Sequence, residues 1–295
     1  MKRYLAFIVG MFIIGSFFVA NKLIVIDVPV FVASEIRLAT GAILLFLVSI
    51  FYTGASFKID TGDLKIIVLQ VFFGVFLFSI FSLNGIKSTS AINSGIIMGM
   101  TPVAMMLLAI FAKKEKVGGT AIVAGLIAFA GAVSLNLANA TNNSGSSLRG
   151  DGLVFLAMLG EAVFITAGKF TRNQINPLIM SALMAGIGAL MFLPLALISA
   201  HNLNWSEISM TSWVLMLYSG IGISALGVLL MNYGSRKLPI STAASLTALM
   251  PASTCILAVA FLDEKFKSAH ILGLGLIFAS ALLSGLGAKK NAQNI

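Results

Sequence analysis

Ten apolar runs, each about as long as a membrane-spanning helix, fill this sequence almost from end to end. A helix needs roughly 20 mostly apolar residues to cross the hydrocarbon core of a bilayer, whereas the strands of a transmembrane barrel need only roughly 10. With 59% hydrophobic and 10% charged residues, the chain of 295 residues lacks the polar side chains that would cover a water-soluble fold. The sequence therefore predicts an all-α integral membrane protein.

Short loops separate the predicted spans and leave no part of the chain for a soluble domain. The first span follows Lys2 and Arg3, as the apolar region of a signal peptide would. It is too long for such a region and lacks a convincing cleavage site, so we expect it to be retained as a helix. The predicted spans are 4–26, 30–52, 64–86, 90–112, 119–138, 152–172, 178–200, 212–234, 240–262 and 270–288.

The basic residues of the predicted loops indicate the orientation of the chain. If the N-terminus is cytoplasmic, 13 of the 19 lysine and arginine residues lie in inside segments, five lie in outside segments, and Arg37 lies within the second span. Because positive residues accumulate on the cytoplasmic side, we expect a multi-pass protein of the cell (inner or plasma) membrane with both termini in the cytoplasm. This distribution also explains the net charge of +9, so we expect no nucleic-acid partner.

The chain repeats itself across a polar linker at residues 139–150. Pro102 and Glu115 lie 149 residues before Pro251 and Glu264, in the same order and with the same spacing. Each half holds five spans, and because five is an odd number the second half enters the membrane from the opposite face. The sequence thus predicts ten helices in two inverted five-helix repeats, 1–138 and 151–295, an architecture that recurs in secondary transporters.

Three groups of residues resemble the EamA-type members of the drug/metabolite transporter superfamily. The first group is Gly15, Phe18 and Lys22 in helix one, which is similar to the family pattern W-G-x-x-F-x-x-x-K. The second is Arg37 near the start of helix two. The third occurs in both halves, as small residues followed by a proline, a loop glutamate and a glycine-rich helix. Together these groups cover essentially the whole chain.

The resemblance implies ten helices in two inverted repeats, and it implies export or exchange of small metabolites such as amino acids. Two positions depart from the family pattern, because Ile14 replaces the tryptophan and Glu161 replaces an aromatic residue at the related position of helix six. If those aromatic residues shape a cavity in relatives, the substrate preference differs here. Members of this superfamily carry different substrates, so the fold does not name one.

Glu161 lies near the middle of the sixth predicted span, where an ionisable side chain is costly unless it meets water or a partner. We expect Glu161 to lie in the substrate path, where it binds a substrate amine or carries a coupling proton. The alternative is that Glu161 is a protonated acid that forms a hydrogen bond to a neighbouring helix. For the basic residues Lys22, Arg37 and Lys169 we favour structural roles, through snorkelling or, for Arg37, bonds to backbone carbonyls. The alternative for the two lysines is gating or the attraction of anionic substrate groups.

Pro102 and Pro251 lie inside the fourth and ninth spans at the same place in each half. Each removes a helix hydrogen bond and frees a carbonyl group, which is tolerated at membrane depth where the break lines a cavity, so we expect hinges there. Glu115 and Glu264 follow in charged loops, and we expect them to be solvated. The other polar residues predicted to contact substrate or reach the central cavity are Asn21, Asn93, Ser94, Ser245 and Thr247.

A secondary transporter that works by alternating access is the predicted function, with a lipid-modifying membrane enzyme or a channel as alternatives. Such an enzyme would need clustered histidine or aspartate residues at a membrane interface, and the sequence shows none. Cys255 is the single cysteine, the 14 methionines are scattered, and no nucleotide-binding loop occurs, so we expect no catalytic residue, metal or cofactor. The expected partners are a small-molecule metabolite, the lipid bilayer and a coupling proton, and the oligomeric state stays open.

Overall fold

Helices account for all regular structure in the described part of the chain. The computed structural model describes residues 2–53, 59–111, 147–168, 175–235, 249–265 and 267–293, with single residues at 123, 126, 127, 130, 131, 171 and 246. Six helices are long and apolar enough to cross a membrane: Arg3–Asp27, Val30–Phe51, Thr61–Ile86, Leu148–Gly168, Pro177–Ala200 and Met210–Gly234. Shorter apolar helices are Ala91–Met105, Leu249–Leu262 and His270–Ser280.

These helices coincide with predicted spans, so the prediction of an all-helical membrane protein is confirmed. The fifth predicted span, 119–138, falls almost entirely outside the described residues. The arrangement of ten helices as two inverted repeats therefore stays a prediction.

Breaks and π-helical turns divide several spans into shorter elements. Before the linker these are α1 (Lys2–Gly15), α2 (Phe17–Asp27), α3 (Val30–Val48), a π-helical turn (Ser49–Thr53), α4 (Thr61–Val71), the first-half π-helix (Phe72–Leu77), α5 (Phe78–Ile86), α6 (Ala91–Met98) and α7 (Thr101–Phe111). After it come α8 (Leu148–Gly168), α9 (Pro177–Ala200), a 3-10 turn (Trp205–Glu207), α10 (Met210–Tyr218), the second-half π-helix (Ser219–Gly227), α11 (Val228–Ser235), α12 (Leu249–Leu262) and α13 (Ser268–Gln293).

Side-chain caps explain where several helices begin. Ser90, Asn176 and Ser209 each accept a hydrogen bond from a backbone N–H in the first turn of α6, α9 and α10. Ser147 does the same for α8, with its hydroxyl 3.0 Å from the donor nitrogen. The helix therefore begins at Leu148, inside the linker predicted over 139–150, and the repeat boundary at residue 151 stays a prediction.

The two halves of the chain pack against each other along much of their length. α9 packs along α3, α8 along α5, α1 along α11 and α12 along α6, so each of these contacts joins an element before the linker to one after it. Two crossings are too tight for a side chain. A Cβ on Gly160 would lie 2.6 Å from the Phe73 carbonyl oxygen, and one on Gly15 would lie 2.7 Å from that of Met250. Small residues allow such close helix packing in membranes, where lipid is as apolar as the side chains.

A large buried apolar cluster lies at this junction of the two halves. Leu83, Ile92, Ile96 and Ala162 have no exposed surface and belong to one apolar cluster built by helices from both sides of the linker. Large apolar side chains such as Phe51 cover the outside instead. In a bilayer these outer side chains face lipid, so the polar groups of the interior stand out as candidates for function.

Candidate functional site

A cavity of about 140 Å³ lies between the two halves of the chain. Engineered protein cavities of roughly 150 Å³ bind benzene, so this space accepts a small molecule or several waters. Its walls come from α1, α2, α3, the first-half π-helix, α5, α6, α7, α8, α9, the second-half π-helix, α11 and α12. Both π-helices reach the wall, and such segments are frequent at functional sites.

Part of the cavity wall is built from matching positions of the two halves. Five pairs of lining residues are each separated by 147 residues, which is also the spacing between the starts of the two π-helices. The pairs are Ile14 with Glu161, Phe17 with Phe164, Phe18 with Ile165, Arg37 with Met184, and Leu38 with Ala185. The two ionisable side chains of the described wall, Arg37 and Glu161, thus have apolar residues at the matching positions of the other half.

Arg37 enters the cavity from α3 and is held by neutral groups. Its Nη1 donates to Ser224 Oγ at 3.0 Å and its Nη2 donates to Ser79 Oγ at 2.8 Å. The guanidinium carbon lies 5.3 Å from the centre of the Phe17 ring, within the range of a cation–π contact. The side chain is buried, and its Nε has no hydrogen-bond partner among the described residues.

The hydrogen bonds of Arg37 differ from the bonds to backbone carbonyls that sequence analysis favoured, and its role stays a prediction. The described part of the structure places neither a backbone carbonyl nor a carboxylate on the guanidinium. The side chain also stays in the interior instead of snorkelling to a membrane surface. A buried cation without a counter-ion is costly, so this position favours an anionic group in the cavity.

Glu161 enters the same cavity from the middle of α8. Its Oε2 lies 3.0 Å from the Thr101 hydroxyl, and that hydroxyl lies 2.7 Å from the Met98 carbonyl oxygen. Part of the Glu161 side chain is accessible, and it lines the cavity. The cavity thus combines one cation and one carboxyl group with walls made mainly of phenylalanine, methionine and aliphatic residues.

Lys22 and Glu264 form a separate charged cluster at the start of α6. Lys22 Nζ lies 3.1 Å from Glu264 Oε1 and 2.8 Å from the Thr89 carbonyl oxygen. The Glu264 carboxylate accepts the N–H groups of Ala91 at 2.8 Å and Ile92 at 3.0 Å. A carboxylate at this end of a helix also meets the favourable end of the helix dipole. We call this cluster the Glu264 cap.

The expectation that Glu264 is solvated is wrong, because only 14% of its side chain is exposed. The fold brings the loop after α12 onto the first turn of α6, where unpaired backbone N–H groups need an acceptor. Lys22 is 31% exposed, and it makes a specific ion pair instead of reaching only toward solvent.

The other predicted site residues lie away from the cavity or outside the described residues. Asn21 donates to the Phe17 carbonyl of its own helix, and Ser94 donates to the Ser90 carbonyl. The buried Asn93 lies in the first turn of α6, and none of these three residues lines the cavity. Three predicted site residues fall outside the described residues: Lys169, Ser245 and Thr247.

The structure places the two predicted hinge prolines in α7 and α12, and their role as hinges stays a prediction. Pro102 is the second residue of α7, directly after the turn at Gly99 and Met100 that interrupts the fourth span. Pro251 lies in the first turn of the described part of α12.

Sequence analysis missed three hydroxyl residues that shape the cavity. Ser79 and Ser224 hold Arg37, and Thr101 contacts Glu161. The two serines are isolated polar residues in apolar spans, and this pattern only weakly indicates a cavity residue. The Thr101-Pro102 pair was the stronger signal, since a hydroxyl beside a proline in a membrane helix can satisfy a carbonyl that the proline leaves free.

Comparison with known proteins gives a consistent result over the whole chain. The EamA-like transporter family matches residues 1–137 and 148–286. The uncharacterized transporter YetK of Bacillus subtilis (strain 168) is 29% identical over 292 residues, which cover 98% of this chain and 88% of that protein. An uncharacterized transporter of Synechocystis is 26% identical, covering 95% of this chain and 88% of its own length.

Two further comparisons extend this similarity. A WAT1-related chloroplastic protein of Arabidopsis thaliana is 25% identical and covers 91% of this chain and 66% of its own length. A protein of known crystal structure superposes with a TM-score of 0.71 over 98% of both chains at 16% identity. At that identity the superposition shows a shared fold.

Proposed function

This chain belongs to the EamA-like transporter family, and we propose that it is a secondary transporter that exports or exchanges small metabolites by alternating access. The observation that carries the proposal is the cavity between the two halves, which contains Arg37 and Glu161. A binding site at the junction of two repeats is the arrangement that alternating access requires, since the halves can rock around it.

The chemistry of the cavity favours a substrate with a carboxylate, an amine and an apolar side chain. A guanidinium has five N–H donors in a planar fork. The hydroxyls of Ser79 and Ser224 accept two of these hydrogen bonds, so the Nε is among the donors that remain for a carboxylate. Glu161 supplies an acceptor for an amine, and the apolar walls suit an apolar side chain. Apolar amino acids are therefore the substrates that we propose.

Several features support two inverted five-helix repeats at 1–138 and 151–295. The family matches one segment in each half, 1–137 and 148–286, and the cavity pairs lie at a constant spacing. Contacts also come in matched sets, because α8 packs along α5 as α1 packs along α11. Exchange of the two halves maps each of these contacts onto the other.

Glu161 is the residue for which we propose a role in coupling. It either carries a proton that exchanges as the cavity alternates between the two faces, or it binds the substrate amine in each state. An ionisable group inside a membrane span is retained when it serves such a pathway. The pH-gradient experiment in the Discussion separates the two roles.

Counterflow into proteoliposomes tests the proposal directly. Vesicles loaded with one unlabelled apolar amino acid should transiently accumulate the same labelled amino acid from outside, and the flux should saturate. A channel would show neither accumulation nor saturation, and a lipid-modifying enzyme would show no amino-acid flux. Absence of saturable counterflow for every amino acid of a broad panel would contradict the proposed substrate class.

Competition with truncated analogues tests the assignment of Arg37. An amine that lacks the carboxylate should compete poorly in the wild type. In Arg37→Lys, which keeps the charge but loses the fork, the amino acid should bind about ten- to a hundredfold more weakly, as expected for the loss of a charge-assisted hydrogen bond. Met184→Leu at the matching position of the other half is the control and should change affinity little. Equal competition by the amine and the amino acid would remove Arg37 from recognition.

A further inference from the structure

The break in the fourth span leaves one backbone carbonyl without its usual donor. In an uninterrupted α-helix the N–H of residue 102 would donate to the carbonyl of Met98, but Pro102 has no N–H. The neighbouring carbonyls are served by backbone donors, because the Gly99 N–H reaches the Ile96 carbonyl and the Met100 N–H reaches that of Ile97. Among the described residues, the Met98 carbonyl is served by a side chain, the Thr101 hydroxyl at 2.7 Å.

The same hydroxyl faces Glu161, and it has only one hydrogen to give. Its oxygen lies 3.0 Å from Glu161 Oε2. When the carboxyl is protonated, it donates to Thr101 while Thr101 donates to Met98, and all three groups are satisfied. When the carboxyl is ionised, it can only accept, so the Thr101 hydrogen turns toward it and the Met98 carbonyl loses its donor.

We propose that Thr101 is a positioning residue that couples the proton on Glu161 to the break between α6 and α7. This inference rests on the proposed function and takes up the first of the two roles proposed there for Glu161, the exchange of a proton. The step is a simple ionisation, since the carboxyl O–H bond breaks and the proton leaves to water in the cavity. The Thr101 hydrogen bond then changes its acceptor from Met98 to Glu161.

The consequence falls on the cavity wall. A carbonyl without a donor is costly inside a membrane, so the turn at Gly99 and Met100 rearranges until the Met98 carbonyl finds another partner. Met98, Gly99 and Thr101 all line the cavity, so movement of the turn changes the site itself. Ionisation of one side chain is thereby converted into a change of helix geometry.

Within the part of the chain that the structure describes, few other charges lie near this switch. The elements packed against α8 are α4, the first-half π-helix, α5, α6 and α7, and the described residues of the last four carry no ionisable side chain. Arg37 on α3 is the charged group that shares the cavity with Glu161. The other ionisable residues of α4 and α8 lie near the starts of these two helices and do not line the cavity: Asp63, Lys65, Arg149 and Asp151.

Spin labels on either side of the break test the coupling without a substrate. Nitroxides are placed at Lys87→Cys, before α6, and at Leu107→Cys on α7, in a Cys255→Ser background; both labelled positions are exposed. The distance distribution is measured from acidic to alkaline pH. In parallel, infrared spectroscopy follows the band of the protonated Glu161 carboxyl, which reports whether Glu161 is ionised. The band is assigned by its absence in Glu161→Gln. We expect the distance to change with the same midpoint as the band.

Three variants distinguish coupling from a structural role of Thr101. Glu161→Gln should abolish the pH response of the distance. Thr101→Val, which keeps the shape and removes the hydroxyl, should leave a titrating Glu161 band but no accompanying distance change. Thr101→Ser restores the hydroxyl and should restore the response, and Thr101→Ala replaces Thr101→Val if the latter is not recovered in folded form.

The inference is overturned if the distance in Thr101→Val follows pH as in the wild type. It is also overturned if Glu161 does not titrate, or titrates while the wild-type distance stays constant. Counterflow of amino acids is measured separately on the same wild-type preparation. Counterflow without a pH-dependent distance change would contradict the role of Thr101 alone. A pH-dependent distance change without counterflow would contradict the proposed substrate class alone.

Discussion

Lys22 and Glu264 form an ion pair across 242 residues of sequence, with Nζ 3.1 Å from Oε1. The glutamate also accepts two backbone N–H groups from the first turn of α6. This one carboxylate therefore joins α2, α6 and the loop after α12, two elements from the first half of the chain and one from the second. It ties the halves together at one end of the fourth span, away from the cavity.

Replacement of Glu264 should destabilise the protein. Glu264→Gln keeps the shape but loses the charge, and hydrogen bonds to charged groups contribute about 1.5–3 kcal/mol. We expect the free energy of unfolding to fall by about that amount, because the residue is mostly buried. Denaturant or thermal unfolding in detergent measures the change, and Glu207→Gln in an exposed turn is the control.

A double-mutant cycle isolates the ion pair itself. Lys22→Met and Glu264→Gln should be non-additive, since each single variant removes the same contact. Additive effects would show that Glu264 acts through the α6 N–H groups alone.

Two glycines on one helix should respond in opposite ways to the same substitution. A Cβ on Gly160 would lie 2.6 Å from the Phe73 carbonyl oxygen, whereas one on Gly152 would meet nothing within 4 Å. Gly160→Ala should cost about 1–3 kcal/mol through overpacking, and Gly152→Ala should be neutral or stabilising by up to about 1 kcal/mol. Unfolding measurements on both variants check this, and an equal response would contradict the close crossing of α8 and the first-half π-helix.

The charge of Glu161 should be needed for the response to a pH gradient. A proton carried across the membrane gains about 2.3 kcal/mol per 100 mV. Glu161→Gln mimics the protonated acid, so it should still catalyse exchange, while net flux should no longer follow an imposed pH gradient.

The two remaining outcomes of that measurement have different meanings. Loss of substrate binding in Glu161→Gln would indicate that the carboxylate holds the substrate amine. Unchanged binding together with unchanged pH-driven flux, in a folded variant, would exclude Glu161 from the transport mechanism.

The topology is tested with single cysteines in a Cys255→Ser background. Ser146→Cys and Asn291→Cys are made one at a time. Intact cells that carry each variant are then treated with a membrane-impermeant thiol reagent. Because 13 basic residues favour the inside and five the outside, only position 146 should react. Reaction at position 291 would place the C-terminus outside and contradict the predicted orientation.

The sequence predicted those parts of the fold that depend on local patterns. The seventh span, expected at 178–200, is the helix Pro177–Ala200, because hydropathy reports membrane crossing directly. The helix α8 begins four residues before the sixth predicted span, since Ser147 caps it inside a stretch whose composition is that of a linker.

The parts that could not be predicted are the contacts between distant residues. Arg37 and Glu161 were visible as charges in apolar spans, but the serines that hold Arg37 lie 42 and 187 residues away from it in sequence. The burial of Glu264 follows from the same kind of long-range packing. A single sequence does not report which helices cross, so the surroundings of each charge needed the fold.

The unequal pairing around the cavity has a consequence for how a substrate travels. Arg37 and Glu161 correspond to Met184 and Ile14 in the opposite halves. A chain with two identical halves would surround one small space with two like charges, which repel. Here one half contributes a guanidinium and the other a carboxyl group, so the two ends of the cavity differ electrically although five pairs of its lining residues match. In the proposed transport cycle, a zwitterionic substrate would bind in one orientation and keep it as the cavity opens to the other face, so it would cross the membrane without turning over.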